Sequence, residues 1–414
     1  MKISLLVIAS EVLEGKVQDI NTLNLSKFLK SQNKTLEQVI TVSDRPDQIL
    51  KALSSLKESD LVVISGGMGP TPDDLTKNTI AMFLGTELIS TDNSKEVAKR
   101  NYKNRGYPFP ENHPYQLIPE KSQALFNPEG YAPGLLFHHG HSNFISLPGV
   151  PREFKAMIEM HLPKLLDVEN IELFDFIIRT KNIGEERILK KLDPTLWEKL
   201  SSFGKVASLP YLYGVDITVR LQTNSVEEMF QKKKALESFI LSHPLKEYVW
   251  HIGEESLEEC IITKAKNLNV RFGFAESCTG GLCSDKITNI NGSSSVFYGS
   301  LICYNTDIKT GFLKVDPRLI EQFDVVSAPV ATQMASGLRS LFPIDLAISL
   351  TGYAGPHAKE DEIPVGTVFI GVSSKLGDHT YHHHFVGDRK RLKEYFYQVA
   401  LFQLLETLEK LALR

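Results

Sequence analysis

The stretch "DLVVISGG" (residues 60–67) sets an unbroken apolar run, Leu61 to Ile64, one serine ahead of two glycines. A short apolar run closed by glycine marks a strand buried on both faces, because a strand with one wet face alternates instead. Just before it, "QILKALSSLKE" (48–58) carries its apolar residues at helical spacing. Earlier still, "KISLLVIA" (2–9) repeats the buried-strand pattern and "TLNLSKFLKSQ" (22–32) the helical one. Strand and helix in alternation predict an α/β fold with a mostly parallel sheet under helices. The pattern runs to "PREFKAMIEMHLPKLL" (151–166), a helix opened by proline.

The next segment changes character. "FDFIIRTKNIG" (174–184) and "VDITVRLQT" (215–223) alternate as strands, with helical stretches at "EERILKKL" (185–192) and "VEEMFQKKKALESFIL" (226–241). This predicts a small α+β domain of about 80 residues. From Glu254 the α/β plan returns: "ESLEECIITKAKNL" (255–268) is an amphipathic helix, and "VRFGFAESCTGG" (270–281) runs from strand into a glycine turn. "DLAISLTGYAGP" (345–356) repeats that plan, and "GTVFIGVSS" (366–374) adds a strand. The expected division is residues 1–168, 169–253 and 254–414.

At 414 residues, with 42% hydrophobic and 23% charged residues, the composition is that of a globular multidomain protein. A net charge of -4 supplies no general basic field, so direct nucleic-acid binding is not expected. The opening run "ISLLVIA" (3–9) is too short to span a bilayer and lacks a signal-peptide cleavage pattern. No membrane association and a cytoplasmic location are the expectations. The four cysteines show neither CxxC nor zinc spacing and are read as free thiols.

"FAESCTGG" (274–281) places Ser277, Cys278 and Thr279 side by side with no histidine nearby. The strand is predicted to stop at Ala275 and a helix to start beyond, setting Ser277 among free backbone N–H groups that can stabilise an oxyanion. A plain serine N-cap fits the same position. A serine needs a base, and a desolvated lysine can serve as one. "CYNTDIKTGFL" (303–313) supplies Tyr304 and Lys309 in a segment able to fold back on the serine, although a surface lysine is the ordinary reading.

"AESCTGG", "GSSSVF" (292–297), "YNTDIK" (304–309), "LTGYAGP" with "PVGTVFIGV" (364–372), and "GDR" (387–389) follow one another as in the C-terminal domain of the CinA family, which resembles nicotinamide mononucleotide (NMN) deamidases. The resemblance implies hydrolysis of NMN to nicotinate mononucleotide and ammonia, without a cofactor, as part of pyridine nucleotide recycling. It places the nucleophile on Ser277, the base on Lys309 and an assisting tyrosine on Tyr304. Substrate-binding positions fall on Thr351, Arg389, Ser294, Gly280, Gly281 and Gly352. Arg389 suits the substrate phosphate. One departure is Thr306, where many relatives carry Asn. The alternative is a non-catalytic nucleotide-binding or scaffold protein linked to competence or the DNA damage response.

At the other end, "VVISGGMGPTPDDLTKNTI" (62–80) leads from a strand through a glycine turn to Asp73 and Asp74. Backbone N–H groups at Gly66, Gly67 and Gly69 can hold a phosphate, and paired carboxylates a divalent cation; a tight turn with an Asp cap is the competing reading. With "SEVLEG" (10–15), "DINTLNLSKFL" (19–29), "NPEGYAPG" (127–134) and "LPGVPREFKAM" (147–157), this stretch resembles the N-terminal CinA domain, related to molybdopterin-binding proteins. The resemblance implies a three-layer α/β domain with ADP-ribose diphosphatase activity. Its nucleotide site falls on Glu11, Asn21, Gly66, Gly67, Gly69 and Thr76, with a divalent metal, and potassium as a companion ion, at Asp73 and Asp74. Three positions depart from the family pattern: Ala9 for glycine, Tyr131 for threonine, and "YQL" (115–117) for a basic-Gln-Ala stretch. "NIGEERI" (182–188) and "LYGVDITVRL" (212–221) resemble the CinA linker domain, and a homodimer is implied. The histidine runs "FHHGH" (137–141) and "YHHHF" (381–385) sit in strand patterns whose neighbours face opposite ways, so they are read as surface residues rather than metal ligands.

Overall fold

A computed structural model describes residues 1–111, 113–166, 172–356 and 363–413. The chain forms two compact units, Met1–Phe174 with Gln222–Met229, and Asp175–Leu221 with Phe230–Arg414. The expected boundary at 168/169 lies outside the described residues.

In the first unit the strands are β1 (Ile3–Ile8), β2 (Leu36–Val42), β3 (Leu61–Ser65), β4 (Leu88–Ser90), β5 (Leu117–Pro119), β6 (Ser122–Leu125), β7 (Gly134–His139) and β8 (Ser142–Leu147). The main sheet runs β2-β1-β3-β8-β7-β6. β2, β1, β3 and β8 are mutually parallel, and β7 and β6 add an antiparallel edge. Every residue of β1 and β3 is buried. Their side chains alternate between two cores: Leu6, Ile8, Val62 and Ile64 pack on one face, and Ile3, Leu5, Leu61 and Val63 on the other. Period-two alternation between two apolar layers is what makes these strands read as continuous runs. The "FHHGH" run lies on the β7–β8 hairpin, where His139 packs against the Phe83 ring at 4.4 Å and His138 faces solvent.

The second unit contains two sheets. The middle segment contributes β9 (Glu172–Thr180), β10 (Lys205–Tyr211), β11 (Gly214–Thr223) and β12 (Val249–Ile252), ordered β10-β11-β9-β12. Trp250 and Tyr213 of this segment pack against Phe402 of the long helix Arg389–Ala412, at 5.6 and 5.5 Å between ring centres. The other sheet contains β13 (Phe272–Glu276), β14 (Phe297–Ile302), β15 (Leu346–Gly352), β16 (Thr367–Ser374) and β17 (Gly377–His384), ordered β14-β13-β15-β16-β17. β14, β13 and β15 are parallel. The helix Arg389–Ala412 closes one face over Phe272, Phe274, Ile348 and Leu350, and the helix Ala328–Leu341 covers the other over Ala275 and Ala347. The chain is thus α/β and multidomain. β13 has a parallel neighbour on each side, reached by connections running in opposite directions, so a crevice opens at its C-terminal end.

Candidate functional site

That crevice is a cavity of about 310 Å³ beyond the ends of β13, β14 and β15. Its wall gathers Ser277, Tyr304, Lys309, Thr351, Gly352 and Arg389, far apart in sequence. Lys309 lies on the short helix Thr306–Gly311, started by Asn305, whose side chain accepts from the Asp307 N–H at 2.9 Å. The lysine Nζ stands 3.1 Å from Ser277 Oγ and donates to the Cys303 carbonyl at 2.7 Å. Lys309 is only 2% exposed. Burial holds its pKa below the usual 10.5, and the Cys303 and Cys278 thiols offset this only in part. A neutral amine that gives one hydrogen to Cys303 can turn its lone pair toward the serine hydroxyl.

The neighbours of Ser277 do not compete with it. Burial pushes the Cys278 thiol up to about 12, so it stays protonated. Thr279 is fully buried and outside the cavity wall.

Helix N–H groups were expected around the serine, but those of the following helix are already engaged. The Glu276 carboxylate, completely buried, accepts from the N–H groups of Gly281 (3.0 Å), Cys283 (3.1 Å) and Ser284 (3.0 Å), and from the Ser284 hydroxyl (2.7 Å). It therefore caps the helix Leu282–Thr288 from behind the turn. The donors left for a substrate belong to the turn itself. The Cys278 and Thr279 N–H groups give no hydrogen bond to a carbonyl or carboxylate among the described residues.

Other expected residues are placed differently. Ser294 is exposed on a turn before the start of β14, at the opposite end of that strand from the cavity, and takes no part in it. Six strand residues separate the two ends by roughly 20 Å. Gly280 and Gly281 stand outside the wall; their φ values of 64° and 100° are what let the chain turn from strand to helix. The Thr351 hydroxyl is committed to the Val325 carbonyl at 2.7 Å, and the Tyr353 hydroxyl to Asp324 at 2.7 Å. These two bonds hold Val325 and Val326 against the cavity as an apolar wall. Arg389 donates to the Gly355 carbonyl at 2.5 Å and to the Tyr304 hydroxyl at 3.2 Å. Thr306 lines the cavity, while the capping role beside it belongs to Asn305.

In the first unit a cavity of about 530 Å³ opens at the C-terminal ends of β1, β3 and β8. Its wall includes Glu11, Asn21, Gly66, Gly67, Gly69, Asp73 and Asp74. Thr76 is not in it: its hydroxyl donates to the Gly66 carbonyl at 3.0 Å, and its side chain occupies the space beside Gly67, where a Cβ would lie 2.1 Å from Thr76 Oγ1. The Gly66 N–H was expected to face a phosphate but donates to the Leu147 carbonyl at 3.0 Å. Replacing Gly66 with alanine should stop the soluble protein from accumulating on expression, because φ is 111° and the Cβ would fall 2.1 Å from the Ile8 carbonyl oxygen. Ala9 has extended backbone, φ -164°, so nothing there requires glycine. The Tyr131 ring packs on Tyr102 at 4.7 Å and forms wall rather than filling the cavity.

Charge separates the two cavities. Among the described residues the first is walled by six carboxylates, Glu11, Asp19, Asp44, Asp73, Asp74 and Glu153, and by no lysine, arginine or histidine. A thiol-free, oxygen-rich set of this kind suits a hard divalent cation. Among the described residues no group of three or more His, Cys, Asp or Glu is placed to hold a metal. The Asn21 Oδ1, in a side chain 6% exposed, is a buried acceptor without a partner among the described residues, while its Nδ2 is fixed to Ser65 and Gly149. Asp73, Asp74 and Asn21 are the oxygen-bearing side chains of this wall whose chemistry would suit such an ion. One oxygen of Asp74 is already held by Thr71.

Residues 254–408 match the CinA C-terminal domain, and residues 4–167 match a probable molybdopterin binding domain. A putative competence-damage inducible protein of Caldicellulosiruptor saccharolyticus is 32% identical over 99% of this chain and 99% of its own length. The chain belongs to the CinA family. A CinA-family relative in Bacillus subtilis, also described as a putative competence-damage inducible protein, is 30% identical over 99% of both chains. A solved structure described as the protein CinA with unknown function, from Thermoplasma acidophilum, is 31% identical, covers 40% of this chain and 98% of that one, and has a TM-score of 0.36. In this CinA-family chain, no described helix is long and apolar enough to cross a membrane.

Sequence reasoning missed the capping role of Glu276, and it missed Asp324, Val325, Val326 and Tyr353. Glu276 carried a readable signal, an acid just before a glycine turn that starts a helix. Asp324 did not: its φ of 70° is set by the fold around it.

Proposed function

We propose that this CinA-family protein hydrolyses the carboxamide of NMN through a Ser277–Lys309 dyad, releasing ammonia and nicotinate mononucleotide. The observation that carries the reading is the 3.1 Å contact between a buried lysine and a serine at the end of a central parallel strand. Neutral Lys309 takes the proton as Ser277 Oγ adds to the carboxamide carbon, which the pyridinium ring has made electron-poor. The Cys278 N–H faces the developing oxyanion. Lys309 then passes its proton to the departing nitrogen, which leaves as ammonia. In the second half, Lys309 takes a proton from water, the water oxygen joins the acyl carbon, and the ester bond to Ser277 breaks with return of the proton. Val325 and Val326 wall the ring, and Arg389 lies at the mouth for the phosphate. No metal or cofactor enters these steps.

For the N-terminal cavity the reading is cleavage of the ADP-ribose diphosphate, with Asp73, Asp74 and Asn21 as holders of a divalent ion whose part is to offset phosphate charge. Chelation by EDTA should abolish AMP release from ADP-ribose and leave ammonia release from NMN unchanged; parallel assays of both products check this. The names of the relatives favour a second reading, a nucleotide-binding protein of competence or damage responses that turns nothing over.

The deciding test incubates purified full-length protein with NMN and measures ammonia. Release by wild type and loss in Ser277→Ala support the enzyme; binding of NMN without ammonia at any pH supports the second reading. Because only the neutral amine can accept the proton, kcat/KM should rise with pH through the depressed Lys309 pKa and level off below 10.5. A rate that falls over that range would contradict the role of Lys309.

A further inference from the structure

We infer that Lys393 is a specificity-determining residue of the C-terminal site, contacting the phosphate of the substrate; this rests on the NMN reading. Lys393 follows Arg389 by one helical turn on the helix Arg389–Ala412, so both cations share a face. Its Nζ lies 3.8 Å from the position a Cβ would take at Gly280, in the turn that carries Ser277. It is half-buried and has no hydrogen bond or ion pair among the described residues.

The other cations of this stretch are engaged or turned away. Arg389 spends two of its N–H groups on Gly355 and Tyr304. Arg391 lies over the Tyr395 ring, and Lys390 is exposed. Among the described residues the cavity wall contains no Asp or Glu and includes Lys309 and Arg389. Lys309 must be uncharged to act, so the positive charge that meets a phosphate has to come from the helix side. Among the described residues the acids around this turn and cavity are Glu276, which accepts from the Gly281, Cys283 and Ser284 N–H groups, Asp324, which accepts from the Tyr353 hydroxyl, Asp388, which accepts from the Arg391 N–H at 2.9 Å, and Glu394, next to Lys393 in sequence. Ser277 and Gly280 are three residues apart, at most roughly 10 Å of chain. NMN can bridge that span, with the carboxamide of its nicotinamide ring at the serine and the phosphate of its ribose at the lysine. An unpaired ammonium next to a turn built on left-handed glycines is free to close on that phosphate, gaining a charge-assisted bond at little cost in ordering.

The test compares wild type, Lys393→Gln and Lys393→Arg. With NMN, Lys393→Gln should raise KM by about 10-fold or more while kcat stays within about 2-fold, and Lys393→Arg should recover most of the loss. The preference for NMN over nicotinamide riboside, which has no phosphate, should fall by the same factor. An unchanged KM and preference in Lys393→Gln, with wild type active, overturns the inference and leaves the deamidase reading intact. If wild type releases no ammonia, calorimetry with ribose 5-phosphate still decides: binding to wild type and its loss in Lys393→Gln supports the phosphate contact, whereas equal binding by both, or none by either, overturns it.

Discussion

Replacing Lys309 with methionine is expected to lower kcat for ammonia release from NMN by at least about 10³-fold while leaving the protein folded. The side chains are similar in length and the site is closed, with Lys309 2% exposed, so methionine fills the space without a cavity. Stability should rise rather than fall. The lysine pKa is lower folded than unfolded, so below both values the native state holds a buried ammonium at a cost. That cost is fully present at low pH and fades as pH climbs through the depressed pKa toward 10.5. Methionine carries no such cost, and its gain in Tm over wild type should be largest below the depressed pKa and shrink as pH rises toward 10.5. Thermal melts across pH, run beside the ammonia assay, check both halves. A folded variant with wild-type turnover would remove the lysine from the chemistry.

Replacing Glu276 with alanine is the second large effect. It leaves the N–H groups of Gly281, Cys283 and Ser284 without their acceptor, that of Cys283 fully buried and the other two partly so. Orphaned buried donors of this kind amount to about 3 kcal/mol, even allowing for an entering water. For the C-terminal half that is a fall in Tm of roughly 6 to 12 °C. The turn carrying Ser277 should loosen with it. The prediction is a kcat reduced by roughly 10²-fold with little change in KM for NMN. Glu276→Gln keeps an acceptor but presents an NH₂ to the same donors, so it should lie between. A variant with wild-type kcat would show that the carboxylate stabilises the helix and does nothing for the nucleophile.

The parts that could be read in advance were those fixed by local chemistry. Apolar runs such as Leu61 to Ile64 have nowhere to go but between two layers, and the first unit buries β1 and β3 on both faces. Glycine turns after strands pointed to the ends of parallel strands, where both cavities open. Ser277 and Lys309 lie 32 positions apart, and the residues alone left the lysine on the surface; the motif order brought them together. What stayed hidden depends on which partner a polar group finds. The Gly66 N–H serves the sheet, the Thr76 hydroxyl a glycine carbonyl, and the Thr351 hydroxyl the Val325 carbonyl, none of them a ligand. Ser294 shows the same limit in another form, since its motif lies near Ser277 in sequence order but at the wrong end of β14.

The dyad makes one demand that a directly activated water does not: the acyl group must rest on Ser277 before water takes it. Hydroxylamine added during turnover of NMN by the wild-type protein measures this. Formation of the pyridine nucleotide hydroxamate, one ammonia for each, and its loss in Ser277→Ala, is the predicted result. Ammonia released with carboxylate as the sole product, and unaffected by Ser277→Ala, would contradict it.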